Sequence, residues 1–233
     1  MQVAETRYTR LMIDWRSIDT VLLDMDGTLL DLHFDNHFWL DFLPIHYAEC
    51  NGISCEQARD HLYSQFKRHQ GSLNWYCLDF WSQQLQLDIV ALKQHVTHKI
   101  AYRPHAQQFL NQLKQAGKRR ILVTNAHRDS LNLKLEYTGL NNLLDNIISS
   151  HDYRFPKEDT AFWEQLTVEH SLQLEHTLLI DDSRPVLQAA KKFGIGQLLR
   201  VYQPDSTQPG NNDDEFPSLY CFSDINPPLN ADE

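Results

Sequence analysis

Val21-Leu22-Leu23-Asp24-Met25-Asp26-Gly27-Thr28-Leu29 is the run that decides the fold. An apolar stretch stops abruptly on two carboxylates, a glycine and a hydroxyl. In a parallel α/β sheet, catalytic groups gather outside the carboxyl ends of the strands. A strand that ends on Asp-x-Asp therefore puts both acids at that mouth. If the chain stays extended, alternation sends Asp24 and Asp26 to one side and Met25 to the other. Two neighbouring carboxylates repel, and the pKa of one rises unless a cation sits between them. The stretch is thus a candidate site for a nucleophile and a metal ion, and the rest of the chain must supply its other parts.

Outward from this run, residues 18–23 are the predicted first strand and residues 1–16 a loosely attached lead-in. Residues 32–103 change character and read as four helices without an intervening strand, a small bundle. Pro44 is expected to kink or break the first of them, Ser54 and Gln57 form a capping box, and residues 88–100 form the last. Trp75, Tyr76, Phe80 and Trp81 crowd the third; they are either its core or a platform for a ligand. After Pro104, strand and helix alternate. Helices follow at 106–116, stopping at Gly117, at 129–137 and at 157–170, and one more begins at Ser183 as cap with Pro185 in its first turn. Strands fall at 121–124, 144–149, 176–180 and 196–202. Alternation of this kind predicts an α/β fold, a Rossmann-like parallel sheet covered by helices on both faces. Residues 1–31 and 104–233 form that core, with 32–103 as an inserted all-helical cap. Residues 203–233 hold five of the nine prolines and are expected to be an irregular, acidic tail, pinned in part by Phe216, Leu219, Tyr220 and Phe222.

Composition narrows the function class. The chain has 233 residues, 42% hydrophobic and 22% charged, as ordinary globular proteins do. No stretch approaches the roughly 20 apolar residues of a membrane helix, and residues 1–16 lack an apolar secretory region, so a cytoplasmic location is expected. Of the formal net charge of −10, −7 falls from Gln203 onward, where there is no Lys or Arg, which leaves −3 on the first 202 residues. A body so nearly balanced does not suit a nucleic-acid polymer as partner. Cys50, Cys55, Cys77 and Cys221 show no paired spacing and read as reduced structural thiols; a zinc site of Cys50 and Cys55 with His46 or His61 is the weaker alternative. Most of the twelve histidines, including His33, His37, His95 and His98, read as surface or structural.

Each predicted core strand ends on polar residues: Asp24 and Asp26, then Thr124-Asn125, then Asp181-Asp182-Ser183, with Lys157 following the third strand. Together these are the parts phosphoryl transfer needs. Asp24 can be the attacking oxygen and carry an aspartyl-phosphate. Asp26 can protonate the leaving alkoxide and then deprotonate water. Mg²⁺, a hard cation, takes one or two carboxylates plus phosphate oxygens; Asp24 and Asp182 suit it, with the Asp26 carbonyl completing the set. Thr124, the Asn125 backbone and Lys157 would hold the remaining phosphate oxygens. Taken singly, Asp181-Asp182-Ser183 could be no more than a helix cap, Lys157 a surface lysine and Thr124 a strand end.

Asp24–Thr28 as D-x-D-G-T, Thr124-Asn125, Pro156-Lys157 and Ile180–Ser183 as I-D-D-S occur in the order of the haloacid dehalogenase-like superfamily, which the chain resembles. The resemblance implies a helical cap inserted after the first motif. It also implies Asp24 as nucleophile, Asp26 as acid/base, and the last acidic pair as source of the remaining metal ligand, with Asp182 preferred and Asp181 as second choice. The stretches 20–32, 73–85, 120–127, 134–140 and 153–159 are further similar to bacterial purine 5′-nucleotidases of that superfamily. That similarity implies Mg²⁺-dependent hydrolysis of purine nucleoside 5′-monophosphates, GMP and IMP. Another small phosphate ester (a sugar phosphate or phosphoglycolate) and a phosphomutase reaction are the alternatives.

Overall fold

The computed structural model describes residues 13–212 and 214–228, so the lead-in as far as residue 12 and the last acids of the tail lie outside the described residues. Residues 13–16 are not loosely attached: Trp15 is buried against Phe109, and the Lys118 ammonium donates to the carbonyls of Trp15 and Ile18 at 2.8 and 2.7 Å.

Six strands form one parallel sheet: β1 (Thr20–Leu23), β2 (Arg119–Thr124), β3 (Asn146–Ser149), β4 (Thr177–Asp181), β5 (Gln197–Val201) and β6 (Ser218–Leu219), in spatial order 3-2-1-4-5-6. β1 is central, and the chain winds away from it in both directions. That arrangement makes a topological switch point between β1 and β4.

Between β1 and β2 run α1 (His33–His37), a π-helical turn (Phe38–Phe42), α2 (Leu43–Asn51), α3 (Cys55–His69), α4 (Leu73–Tyr76), α5 (Leu78–Leu85) and α6 (Ile89–Gln94). Pro44 follows the expected break, the π turn that interrupts the α-helix. It stands in the first turn of α2, where a missing N–H costs nothing, and the π turn before it absorbs the change of register. Ser54 and Gln57 do form the capping box. The helix expected over 88–100 is shorter: Asp88 caps α6, and the rest is a 3₁₀ turn at Thr97–Lys99. The core then adds α7 (Ala106–Gln115), α8 (Arg128–Thr138), α9 (Ser150–Tyr153), α10 (Thr160–His170) and α11 (Arg184–Phe193). Helix α10 starts three residues later than expected, because Asp159 caps it through the Ala161 N–H.

Every residue of β1 is buried, and alternation divides them between two apolar layers. Val21 and Leu23 pack with Phe109, Leu110 and Leu113 of α7 and Leu131 of α8. Leu22 packs with Phe162, Trp163 and Leu166 of α10 and Val186, Leu187 and Ala190 of α11. Helices therefore cover both faces, as a wholly parallel sheet requires. The insertion shares the first layer through Phe34, Phe38, Phe66, Leu78 and Trp81.

The tail is more ordered than expected. β6 adds to the open edge of β5, and Phe216, Leu219 and Phe222 are buried, Phe222 stacking on Phe109 with ring centroids 5.0 Å apart. Tyr220 remains exposed, with its hydroxyl donating to Asn212. Among the described residues no helix is long and apolar enough to cross a membrane.

Candidate active site

Register brings the strand mouths together. Leu23 stands between Leu122 and Ile180, Thr124 beside Ser149, and Asp181 beside Arg200. The Asp24 N–H donates to the Ile180 carbonyl at 3.0 Å, extending the ladder by one residue. The chain then turns, with the Leu30 N–H on the Met25 carbonyl and the Gly27 N–H on the Leu30 carbonyl. Extended alternation therefore fails after Asp24, and the two acids part: Asp24 Oδ1 accepts from Lys157 Nζ and Asp26 Oδ1 from Lys134 Nζ, each at 2.6 Å.

Lys157 is 2% exposed and fixed at both ends. Its ammonium donates to Asp24 Oδ1, to Asp181 Oδ2 at 2.7 Å and to the Val123 carbonyl at 3.0 Å. Its backbone N–H donates to Asn125 Oδ1, and its carbonyl accepts from the Trp163 indole. Asp181 Oδ1 accepts from the Ser183 N–H, so Ser183 contributes its amide rather than a hydroxyl cap to the start of α11.

The carboxylate oxygens of Asp24, Asp181 and Asp182 lie within 4.8 Å of one another. Three acids thus face one lysine. Both Asp181 oxygens are engaged, whereas among the described residues no other side chain donates to the Asp182 carboxylate. Burial, then Asp24 and Asp181, push Asp182 well above the usual carboxylate range. Burial also raises Asp24 to about 6, with Lys157 pulling down and Asp181 pushing up. A centre with excess negative charge and hard oxygen donors fits a divalent cation such as Mg²⁺. Within the acidic pair, Asp182 is the member with oxygens to spare. Gly27 makes room for it: its φ is +85°, and a Cβ there would stand 2.8 Å from Asp182 Cγ.

Asp26 belongs to a second network. Lys134 on α8 also donates to Asp35 Oδ2 at 2.6 Å, and Lys93 on α6 donates to Asp35 Oδ1 at 2.7 Å. Both lysines are 1% exposed, and Lys93 lies 4.7 Å from the ring centroids of Phe34 and Phe38. Burial alone would raise Asp35, but Lys134 and Lys93 outweigh it and hold the carboxyl at about 2. Burial raises Asp26 to about 6 against the pull of Lys134. Sequence reasoning missed Lys134, Asp35 and Lys93. A signal was present: Lys134 follows Ser130 and Leu131 by four and three residues, and Lys93 follows Ile89 by four. Both lysines therefore fall on the apolar faces of their helices.

A cavity of about 330 Å³ lies between the strand mouths and the insertion. Asp24, Asp26, Asp182, Thr124 and Lys157 line one side, and Trp39, Trp75 and Tyr76 the other. Of the four aromatics singled out, Trp81 is core, its indole donating to the Trp75 carbonyl, and Phe80 packs on His69. Tyr76 reaches across: its hydroxyl donates to Glu158 Oε1 at 2.8 Å, while Asn125 Nδ2 donates to Oε2 at 2.9 Å. Glu158 is a further residue the sequence did not single out. Thr124 Oγ1 accepts from the Ala126 N–H. Cys50 and Cys55 gather no metal-ligand set among the described residues; Cys50 touches only His46, at 3.7 Å.

The geometry has counterparts. A family model for haloacid dehalogenase-like hydrolases matches residues 18–194. The GMP/IMP nucleotidase YrfG of Escherichia coli is 44% identical over 217 residues, covering 93% of this chain and 98% of that one, and its Shigella flexneri counterpart matches equally. Among solved structures, a HAD phosphatase from Thermococcus onnurineus superimposes with a TM-score of 0.75 over 88% of this chain and 95% of its own, at 21% identity. A family match over most of the chain and a relative 44% identical over 93% of it agree: the protein belongs to the haloacid dehalogenase-like hydrolases.

Proposed function

We propose that this hydrolase is a cytoplasmic 5′-nucleotidase that releases phosphate from GMP and IMP with Mg²⁺. The observation that carries the proposal is the cavity itself. Its floor is an acid–lysine centre suited to a phosphate and a cation, and its roof is made of rings suited to a base. The 44% identity to a GMP/IMP nucleotidase supports the choice of ester.

Asp24 attacks phosphorus through Oδ2, the oxygen no lysine engages, while Lys157 fixes Oδ1. The bond from phosphorus to the ribose O5′ breaks, and Asp26 gives that oxygen a proton from Oδ2, with Oδ1 held by Lys134. An acid raised to about 6 still holds a share of its protons near neutral pH. In the second step water attacks the aspartyl-phosphate, Asp26 takes the water's proton, and phosphate leaves with Asp24 restored. Thr124, the Asn125 backbone and Lys157 position the phosphate oxygens. Asp24, Asp182 and the Asp26 carbonyl would hold Mg²⁺, which supplies charge neutralisation between anionic nucleophile and anionic ester. Residues 32–103 act as the cap over the core of 1–31 and 104–233, and base selection falls to its aromatic wall.

The test is phosphate release from a panel of nucleoside monophosphates and sugar phosphates. GMP and IMP should lead it, and Asp24→Asn should fold yet be inactive. Trp75→Ala should raise KM for GMP more than for p-nitrophenyl phosphate, since base–aromatic stacking contributes about 1–3 kcal/mol. Equal changes for both substrates, or a sugar phosphate as best substrate, would remove the purine assignment.

A further inference from the structure

Beside the cavity, three side chains from three elements converge. Cys77 joins α4 to α5, His127 caps α8, and His151 lies on α9; Cys77 Sγ and one nitrogen of each ring lie within 4.8 Å of one another. All three are half-buried. His151 Nε2 is buried and has no hydrogen-bond partner among the described residues, an uncompensated acceptor at the interface of insertion and sheet. His127 is oriented from behind. Nδ1 accepts from the Asp129 N–H at 3.4 Å, and Nε2 faces the exposed Asp79 carboxylate at 3.6 Å. Burial and the neighbouring His127 hold His151 down at about 4, so the ring is neutral at pH 7. The thiol is not needed for the local fold. Cys77 Sγ caps α5 by accepting from the Phe80 N–H at 3.5 Å, a task serine performs better.

We propose that Cys77, His127 and His151 form a Zn²⁺ site, distinct from the carboxylate centre, that clamps the insertion to the sheet and slows turnover when filled. A thiolate with two imidazoles suits a borderline-soft cation and not Mg²⁺. Asp79 or water completes the tetrahedron. Binding releases the thiol proton. The clamp acts one residue from Tyr76, which roofs the cavity and is already tied to Glu158. A second tie at that point restrains the opening through which substrate and product pass.

The test uses the full chain in saturating Mg²⁺. Co²⁺, as a spectroscopic stand-in for Zn²⁺, should give a thiolate-to-metal charge-transfer band that Cys77→Ser abolishes and Zn²⁺ displaces. His151→Gln should weaken Zn²⁺ binding by about tenfold or more. With p-nitrophenyl phosphate, Zn²⁺ should inhibit the wild type. Cys77→Ser and His151→Gln should keep Mg²⁺-supported turnover and need about tenfold more Zn²⁺ for the same inhibition. The serine preserves the helix cap, and the glutamine variant tests the site without touching the thiol. No band, a band that survives Cys77→Ser, or binding without inhibition overturns the proposal. The spectroscopic arm does not depend on the identity of the ester, so its failure is distinguishable from failure of the nucleotidase assignment.

Discussion

Replacing Lys134 with methionine keeps most of its volume and removes one charge from the buried chain Lys93–Asp35–Lys134–Asp26. A carboxyl held at about 2 rather than its ordinary 3.8, as Asp35 is, gains about 2 kcal/mol in its ionised form from the two lysines. Asp26 loses its partner as well, at 2.6 Å. Breaking a buried pair from one side costs about 3–5 kcal/mol. For a chain of this size that lowers Tm by about 10 °C. The pH dependence has a definite sign. In the wild type, the depressed Asp35 contributes stability that is complete above 3.8 and is lost only as pH falls towards 2. In Lys134→Met, Asp35 keeps Lys93, but burial lifts Asp26 further above its ordinary value once Lys134 no longer pulls it down, so its ionisation costs more stability as pH rises. The deficit against wild type should be largest at pH 8 and shrink towards pH 5. Lys134→Met/Asp26→Asn, which removes the orphaned charge and leaves the Lys93–Asp35 pair intact, should recover much of it. Thermal melts by circular dichroism at both pH values, in metal-free buffer, decide the matter. An equal deficit at both, or a double variant no better than the single one, would refute the charge-balance account of this network.

Asp182→Asn should abolish the Mg²⁺-dependent rise in Tm, which in the wild type reflects a stabilisation of about 2.7 kcal/mol at a hundredfold excess over Kd. Because Asp182 is raised well above its ordinary value, its ionisation costs stability as pH rises; the metal-free variant should therefore melt above metal-free wild type at pH 8, with the gap closing towards pH 5. A Mg²⁺ shift that survives the substitution would assign the ligand elsewhere. Gly27→Ala should cost about 1–2 kcal/mol from its left-handed φ alone, and it pushes against Asp182 at 2.8 Å, so the Mg²⁺ concentration for half-maximal activity should rise. Unchanged Mg²⁺ dependence would show that Asp182 moves aside without loss. Leu23→Ala, in the fully buried central strand, should cost about 2–5 kcal/mol by equilibrium denaturation.

Asp24, Thr124, Lys157 and Asp181 were legible because each interrupts or follows an apolar run, and a parallel sheet gathers such interruptions at one edge whatever the loops between them do. The same rule could not choose between Asp181 and Asp182, because adjacent residues diverge at a strand end and the choice turns on which carboxylate Lys157 and Ser183 already occupy. It also misjudged Asp26, whose direction depends on the turn that begins after Asp24 rather than on strand alternation. Lys134 and Lys93 were hidden by a sound prior, that lysines are solvated. Their partner Asp35 lies 99 and 58 residues away in sequence, so nothing local announces the pairing. The π turn before Pro44 and the strand β6 were missed for a related reason. A π turn shifts the helical register by a residue, and a two-residue strand has no periodicity of its own to detect; both are defined by what they pack against. Local pattern thus fixes what each element is, while the partners of a buried charge are set only once distant elements meet. The acid/base candidate Asp26 is such a case: its lysine comes from α8, and that lysine's other carboxylate, Asp35, is tied in turn to Lys93 on the insertion. A displacement of the insertion that carries Lys93 away would change the charge balance around Asp35 and Lys134, and hence around Asp26, before any substrate is touched.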